Sequence, residues 1–218
     1  MFLFIIEYKV IGLRVLKTGF RKPGSVFRST FADLQAGPLH IALVGNPNSG
    51  KSSLFNCLTG MNQQVGNFPG VTVDKTIGRF KAGELNIDAI DLPGTYSLYP
   101  KRMDEWVSYR VVIGDDESFR PNLVVAVVDA SNLKRNLLLA TQLIDLGVPV
   151  VIALTMMDLA RKKGIQIDIP ALARELGVPV VAVNPRKNKG IIELKKMIQS
   201  WHKQPIKTVS RSFIDSET

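Results

Sequence analysis

The chain has 218 residues, of which 45% are hydrophobic and 22% charged, a balance typical of one globular domain with short appendages. Its single cysteine, Cys57, excludes an internal disulfide and a cysteine metal cluster, and the two histidines argue against a histidine-rich metal site. The net charge of +9 leaves nucleic acid or an anionic membrane surface open as partners, although solvated basic surfaces explain it better. No apolar run approaches the ~18–20 residues that cross a bilayer, so we expect this chain alone to be soluble.

Strand-like apolar runs alternate with helix-like periodic runs, which predicts an α/β fold with a mostly parallel, six-stranded sheet and helices on both faces. The predicted strands are Ile41–Gly45, Thr76–Lys81, Leu85–Asp91, Leu123–Asp129, Val150–Thr155 and Val180–Val183. The predicted helices are Lys51–Thr59, Asp104–Ile113, Leu133–Leu146, Pro170–Leu176 and Ile191–His202. The pentapeptide GVPVV occurs at Gly147–Val151 and again at Gly177–Val181, which indicates two similar helix-to-strand entries. We predict one domain over residues 39–203, an extension or linker before it (1–38) and a polar tail after it (204–218).

The run GNPNSGKS, Gly45–Ser52, follows the first predicted strand and opens a helix, and it matches the phosphate-binding pattern G-x-x-x-x-G-K-[ST]. The glycines let backbone N–H groups surround phosphate oxygens at a helix N-terminus. In this pattern Lys51 reaches the β- and γ-phosphates and the Ser52 hydroxyl binds Mg²⁺. A turn that binds nothing is the alternative, which the flanking strand and helix disfavour. The predicted contact residues are Gly45, Asn46, Pro47, Asn48, Ser49, Gly50, Lys51, Ser52 and Ser53.

The second motif, DLPGTYSL at Asp91–Leu98, carries the D-x-x-G spacing at the end of a predicted strand. An aspartate there can hold Mg²⁺ through water, and the Gly94 N–H can sense the γ-phosphate. Alone this spacing is also common in ordinary turns. About forty residues after a phosphate loop, it predicts a second nucleotide-sensing segment.

Between these motifs lies NFPGVTVDK, Asn67–Lys75. A threonine in a glycine-containing loop can place its hydroxyl on Mg²⁺ and its N–H on the γ-phosphate, and Thr72 is the candidate. Loss of the γ-phosphate would release such a loop and make it a switch. The alternative is a plain connecting loop. The predicted contact residues are Asn67, Gly70, Val71 and Thr72.

The fourth motif, TMMD at Thr155–Asp158, ends a buried strand. The Asp158 carboxylate suits guanine, because the N1–H and N2–H₂ donors share one edge of that base and adenine has no such pair. An aspartate that merely caps the next turn is the alternative. The fifth segment, Asn184 with Pro185, reads by itself only as a turn. The base-contacting candidates are Thr155, Met156, Asp158, Asn184 and Pro185.

Together the five stretches resemble a translation-factor-type GTPase and, more closely, the cytosolic G domain of the ferrous-iron transporter B family. Four segments match the sequence of that family almost throughout, namely GNPNSGKSSLFN, VGNFPGVTVDK, DLPGTYSLYP and ASNLKRNLLLATQL. The resemblance covers about residues 39–200. It implies a P-loop GTPase fold, GTP or GDP with Mg²⁺ (Ser52, Thr72, Asp91) as ligands, and regulation of Fe²⁺ transport.

By position, the resemblance implies that Asn48 coordinates K⁺, an ion that neutralises transition-state charge as an arginine finger does. The implied hydrolytic residues are Asn48, Lys51, Thr72 and Gly94. Thr95 stands where Ras-like proteins carry a water-orienting glutamine, so slow hydrolysis of about 10⁻⁴ to 10⁻² s⁻¹ is expected. The implied partner is a membrane iron-transport domain, on the same or a separate polypeptide, in an assembly that can be homo-oligomeric. The implied location is the cytoplasm, at the inner face of the cell membrane.

Three departures from the family pattern bear on activity. Thr155 stands where the base motif begins with asparagine, and a short hydroxyl is expected to reach the base and the phosphate loop poorly. Pro185 stands where the family has alanine, and proline has no N–H for the base. We therefore expect weak, fast-exchanging GTP binding. The family also continues into a helical spacer and a membrane channel, so this chain is not expected to conduct iron alone.

Two other functions stay open at this point. The altered base motifs would suit a degenerate G domain that binds nucleotide or a partner with little hydrolysis. The basic clusters Arg161–Lys163 and Arg186–Lys187 would suit a GTPase that works on RNA. Those clusters are short and lack interleaved aromatic residues, so solvated loop charge explains them better and no nucleic acid partner is expected.

Overall fold

The computed structural model describes residues 38–61, 63–68, 73–100, 102–115 and 119–203. Its strands are β1 Leu39–Gly45, β2 Gln63–Asn67, β3 Asp74–Ala82, β4 Leu85–Asp91, β5 Leu123–Asp129, β6 Val150–Thr155 and β7 Val180–Ala182. Its α-helices are α1 Lys51–Thr59, α2 Met103–Val112, α3 Leu133–Asp145, α4 Met157–Lys162, α5 Ile169–Leu176 and α6 Ile191–Lys203. None of the helices in this described part combines the length and apolar character of a membrane span.

The strands form one sheet in the order β2-β3-β4-β1-β5-β6-β7. The pairings of β1 with β4 and β5, of β5 with β6, and of β6 with β7 are parallel. The pairings of β2 with β3 and of β3 with β4, at one edge of the sheet, are antiparallel. The parallel strands carry their carboxyl ends to one side of the sheet, which is where ligands bind in open α/β folds.

The mostly parallel sheet is confirmed, but the predicted count of six strands is wrong by one. The structure adds β2, which pairs with β3 from Gln63 opposite Gly78 to Asn67 opposite Asp74. Every residue of β2 is exposed, so its sequence, QQVGN, has none of the apolar alternation that marks a half-buried strand. Main-chain pairing with β3, rather than side-chain burial, makes it a strand.

The central strands separate two hydrophobic cores because their side chains alternate between the faces of the sheet. Ala42 and Val44 pack in the core that contains α2, α3 and α5. Ile41 and Leu43 pack in the opposite core, with α1 and α6. Both faces of β5 are therefore covered, which accounts for its nearly continuous apolar sequence. The predicted placement of helices on both faces is confirmed.

The repeated GVPVV segments make equivalent connections. The Pro149 carbonyl accepts a hydrogen bond from the Val124 N–H at 2.8 Å, and the Pro179 carbonyl accepts one from the Ile152 N–H at 2.8 Å. Each segment thus begins a new parallel strand beside the preceding one. The prediction of two similar helix-to-strand entries is confirmed.

All five predicted helices are present with ends within one residue of the prediction. The sequence did not predict α4, whose six residues are too few to display a helical period. This short helix matters for the site because it begins directly after β6. The predicted extension lies outside the described residues except for Pro38, and the predicted tail lies outside them completely.

Candidate functional site

The loop between β1 and α1 turns through two left-handed backbone conformations. Asn48 has φ +63° and Gly50 has φ +88°, and the Ser49 N–H closes the turn by donating to the Asn46 carbonyl at 3.1 Å. Glycine adopts this conformation without cost, and asparagine tolerates it better than most residues. Turns of this kind direct successive N–H groups into a concave surface that fits anions. Pro47 and Asn48 are exposed at the apex of the loop, while Ser49 is buried beneath it.

The clearest polar cluster joins the start of α1 to the end of β4. The Lys51 ammonium forms an ion pair with Oδ1 of Asp91, and the Ser52 hydroxyl donates to Oδ2 at 2.8 Å. The side chains of Lys51 and Asp91 are only 10% and 13% exposed, respectively. Two motifs predicted from distant parts of the sequence thus meet on one carboxylate. A hydroxyl and a carboxylate are the hard oxygen ligands that Mg²⁺ prefers, so the donor set fits this ion. Ser53, the next residue of α1, is exposed.

The segment after β4 runs along the phosphate loop. The Leu92 N–H donates to the Leu43 carbonyl at 3.3 Å, and the Thr95 N–H donates to the Gly45 carbonyl at 3.1 Å. A Cβ added at Gly94 would lie 3.1 Å from both the N and Cα atoms of Pro47. A side chain at position 94 would require the Pro47 backbone to shift by a few tenths of an ångström, so glycine favours the close packing of the second motif against the first.

The third motif is described only at its ends, since Gly70, Val71 and Thr72 lie outside the described residues. The Phe68 N–H donates to the Val73 carbonyl at 3.0 Å, and the Phe68 ring is 3% exposed. Asn67, the last residue of β2, is exposed. The two residues that flank positions 69–72 are therefore bonded to each other, next to the antiparallel edge of the sheet.

At the end of β6, Thr155 is 1% exposed and contacts the phosphate loop directly. Its hydroxyl lies 2.7 Å from the Ser49 carbonyl and 3.1 Å from the Val128 carbonyl, so it donates to main-chain oxygens. The expectation that a short hydroxyl would reach the phosphate loop poorly is wrong, because β6 ends directly beside that loop. The Met156 methyl group also lies here, 3.6 Å from the position of a Cβ added at Gly50.

Asp158 lies in the first turn of α4 with an exposed carboxylate. Within the described part of the chain, Oδ1 accepts only the neighbouring Leu159 N–H, at 3.1 Å. The remaining acceptor positions of Asp158 are therefore open towards solvent. This is the arrangement that a base with two donors on one edge requires.

The fifth segment forms a tight turn beside α1. Oδ1 of Asn184 accepts the Lys187 N–H at 3.2 Å, and Pro185 begins a short 3₁₀ turn, Pro185–Lys187. The side chain of Asn184 thus supports the turn itself. Because Pro185 carries no N–H, this end of the site offers one main-chain donor fewer than an alanine would.

Sequence reasoning missed the contact of Thr155 with Ser49, whose residues are 106 positions apart. No pattern in the sequence joins them, because only the strand order places β6 next to β5 and one strand away from β1. The described residues include no cluster of three histidine, cysteine, aspartate or glutamate side chains that would hold a metal ion.

The family model of ferrous iron transport protein B matches residues 39–198. The chain belongs to this family. It is 44% identical over 167 residues to the Fe(2+) transporter FeoB of Escherichia coli K12, an alignment that covers 75% of this chain and 21% of the transporter. The FeoB of Salmonella typhimurium LT2 is 45% identical over 164 residues, which cover 73% of this chain and 21% of that protein. The chain thus spans about a fifth of the length of these curated relatives.

Solved FeoB structures have the same fold. The cytosolic domain of L. pneumophila FeoB is 45% identical, with a TM-score of 0.69 over 74% of this chain and 62% of that one. The cytosolic domain of T. maritima FeoB in its GMPPNP form is 39% identical, with a TM-score of 0.72 over 77% and 65%. An S. thermophilus NFeoB variant bound to mGDP is 45% identical, with a TM-score of 0.68 over 74% and 60%. The predicted family and its GTPase-type nucleotide-binding fold are confirmed.

Proposed function

We propose that this domain is a GTP-binding, slowly hydrolysing switch that regulates Fe²⁺ transport across a membrane. The observation that carries the proposal is the convergence of Lys51 and Ser52 on the Asp91 carboxylate. The convergence supports a nucleotide site because it links the phosphate loop to the segment that senses the γ-phosphate in this fold. FeoB relatives in GMPPNP and mGDP forms support guanine nucleotides as the ligands.

The residues of the chain divide the work by chemistry. Main-chain N–H groups within Gly45–Ser53, other than those of Pro47, which has none, and Ser49, which is bonded to Asn46, hold phosphate oxygens, and Lys51 exchanges its ion pair with Asp91 for the β- and γ-phosphates. Ser52, Thr72 and Asp91 hold Mg²⁺, which when bound neutralises phosphate charge. Gly94 contributes its N–H to the γ-phosphate. Because Thr95 stands where Ras-like proteins carry a water-orienting glutamine, we expect hydrolysis to be slow.

Asn48 is the residue that we assign to K⁺. Its side chain is exposed at the apex of the phosphate loop, where the left-handed backbone turns it away from the core. An amide oxygen at this point is available to a monovalent cation beside the phosphates. The cation would supply the positive charge that an arginine finger provides in other GTPases.

Guanine recognition is assigned chiefly to Asp158, with Met156 and Thr155 beside it and Asn184–Pro185 on the other side. The open acceptor positions of Asp158 support this assignment. Because the Thr155 hydroxyl is already bonded to main-chain oxygens and Pro185 has no N–H, we propose that GTP binds weakly and exchanges fast. A sub-micromolar dissociation constant for GTP would contradict this part of the proposal.

The same two residues support a second candidate function, a nucleotide-binding or partner-binding module with little hydrolysis. In that case the phosphate loop still binds nucleotide, but the domain no longer hydrolyses it. The two functions differ in one observable, which is whether bound GTP is cleaved faster in K⁺ than in Na⁺.

For location and partner, the curated relatives are Fe(2+) transporters and the solved relatives are cytosolic domains. We propose that this domain lies in the cytoplasm at the inner face of the membrane. Its partner is a membrane iron-transport domain, on the same or a separate polypeptide, and the assembly can be homo-oligomeric. The exposed basic residues Arg161–Lys163 and Arg186–Lys187 serve as solvated surface, without a nucleic acid partner.

The test begins with titration of fluorescent GTP and ATP analogues into the full chain, followed by phosphate release in K⁺ and in Na⁺. We expect a preference for GTP and faster release in K⁺. Asn48→Ala should remove the K⁺ effect while nucleotide still binds. Its matched control is Asn86→Ala, another exposed asparagine, on β4 and outside the proposed site. Turnover that is equal in the two salts would exclude the K⁺ role, and binding without turnover would favour the second function.

A further inference from the structure

Asn46, the second residue of the phosphate loop, is a buried amide without a partner. It is 3% exposed, and within the described part of the chain neither Nδ2 nor Oδ1 has a hydrogen-bond partner. A carboxamide offers two donors and an acceptor, and buried polar groups of folded proteins are nearly always paired. An amide held unpaired at this place therefore points to a partner that another state of the site supplies.

The neighbours of Asn46 show where that partner lies. The residue before it, Gly45, accepts the Thr95 N–H at 3.1 Å through its carbonyl oxygen. The residue after it, Pro47, closes on Gly94 so tightly that an added Cβ would lie 3.1 Å from its backbone atoms. Asn46 thus sits between the two points at which the phosphate loop touches the segment after β4.

The alternation of β1 points the same way. Ala42 and Val44 pack in the core that contains Leu92, the residue that follows Asp91, whereas Leu43 packs in the opposite core. Asn46 is the first residue after β1, two positions beyond Val44. Continuing the alternation of β1 by one step assigns its side chain to the face that carries Leu92 rather than to the face that carries α1.

One peptide of the facing segment has unused hydrogen-bonding groups. The Leu92 and Thr95 N–H groups are bonded to β1, and the Pro93 carbonyl accepts the Ser108 hydroxyl at 3.0 Å. Gly94, by contrast, has no hydrogen bond to another described residue through either its N–H or its carbonyl. Among the described residues, the unpaired amide of Asn46 and the unbonded peptide of Gly94 thus lie next to one close main-chain contact, that of Gly94 with Pro47.

We propose that Asn46 is a positioning residue that binds the Gly94 peptide in the triphosphate-bound state, with Nδ2 donating to the Gly94 carbonyl. The bond fixes the orientation of that peptide, so its N–H points at the γ-phosphate. Because GDP lacks the γ-phosphate, the affinity for GDP does not depend on this hydrogen bond. The proposal rests on the proposed function, because it assigns a residue to the nucleotide-sensing step of the same site.

The experiment measures dissociation constants of the full chain for GMPPNP and for GDP, together with single-turnover GTP hydrolysis. Asn46→Ala should weaken GMPPNP binding about tenfold, the effect of one lost hydrogen bond in a buried setting, and change GDP binding by less than about twofold. Hydrolysis at saturating GTP should fall as well, because the Gly94 N–H is no longer aimed. Asn46→Ser, measured beside it, should show the same loss because the shorter hydroxyl does not span to Gly94.

Ser49→Ala is the matched control. Ser49 is 1% exposed in the same loop, and its Oγ also lacks a partner among the described residues, but it lies on the Val127 side of the loop. Whatever this change does to the two affinities, their ratio should stay within about twofold, since Ser49 does not face Gly94.

Two outcomes with a functional wild type would overturn the proposal. If the Asn46 variants weaken GMPPNP and GDP by the same factor, Asn46 supports only the shape of the loop. If neither affinity nor hydrolysis changes, the amide binds nothing in either state. A wild type that binds no guanine nucleotide would overturn the proposed function, and this proposal with it, and is recognised before any variant is compared.

Discussion

The two ends of the candidate site are built differently. At the phosphate end, main-chain turns, the Lys51–Asp91 ion pair and the Ser52–Asp91 hydrogen bond assemble the ligand-binding groups. At the base end, the Thr155 hydroxyl is committed to main-chain oxygens, and Pro185 has no N–H to offer.

The difference shows which interactions of the site also hold the fold together. The phosphate end depends on backbone geometry and on contacts that also hold β1, α1 and β4 together, so changes there disturb the domain itself. The base end depends on the exposed carboxylate of Asp158, which the core does not constrain. Thr155, by contrast, is buried at the end of β6 and supports the phosphate loop through its hydroxyl.

The largest expected effect comes from breaking the phosphate end. Lys51→Ala should weaken GTP and ATP analogues alike by about 100-fold or more, because it removes charge-assisted bonds to phosphate and leaves Asp91 without its cation. Titration of fluorescent nucleotides measures both affinities. Lys162→Ala, an exposed cation on α4, is the control and should change neither by more than about twofold. Unchanged binding in Lys51→Ala would mean that phosphates bind elsewhere.

A second change tests the contact between the phosphate loop and the segment after β4. Gly94→Ala places a methyl group 3.1 Å from the N and Cα atoms of Pro47, a rigid neighbour, so the segment must move. We expect hydrolysis at saturating GTP to fall about 30-fold, with a smaller effect on GDP binding.

The glycine control for that experiment is Gly66→Ala on β2. A Cβ there would meet nothing within 4 Å, so single-turnover hydrolysis should match the unchanged protein. Equal rates for the Gly94 variant and this control would show that the close approach to Pro47 has no functional consequence.

A third pair of changes sharpens the comparison at the base end. Thr155→Asn should raise the preference for GTP over ATP about tenfold, because the added amide reaches towards the base. Thr155→Val should instead weaken both nucleotides by a similar factor and destabilise the fold by about 1–2 kcal/mol, since the Ser49 and Val128 carbonyls lose their donor. Competition titrations and thermal unfolding separate the two effects. If Thr155→Asn leaves the ratio of GTP to ATP affinity unchanged, Thr155 takes no part in base recognition.

The smallest expected effect concerns Tyr109 on α2, the helix that follows the segment after β4. Burial, with smaller contributions from Asp115 and Tyr99, raises the pKa of Tyr109 above its ordinary value of 10.0. The folded state therefore holds this proton more tightly than the unfolded state. Below pH 10.0 the ionisation of Tyr109 should not change the free energy of unfolding. As the pH rises from 10.0 towards the folded-state pKa, that free energy should fall. Urea titrations across that range should show a shallower decline for Tyr109→Phe, and an identical decline would contradict the assignment.

Much of the fold was predictable because its signals are local. The parallel strands β5 and β6 are apolar runs bounded by turn residues, and the helices α3, α5 and α6 show clear amphipathic periods. The strand β2 was missed because all its residues are exposed, and α4 because it is a helix of six residues. Neither element buries enough apolar surface to leave a pattern.

The sequence by itself determined the chemistry of the site. The spacing GNPNSGKS, the D-x-x-G of Asp91–Gly94 and the carboxylate of Asp158 are readable because phosphate, Mg²⁺ and guanine each require particular groups at short separations. Only the tertiary structure decided what these groups do to one another. It joined Lys51 to Asp91, set the Thr155 hydroxyl on Ser49 and left the amide of Asn46 without a partner among the described residues. Such contacts depend on strand order and on which residues a loop buries, and these are properties of the whole packed sheet rather than of any segment.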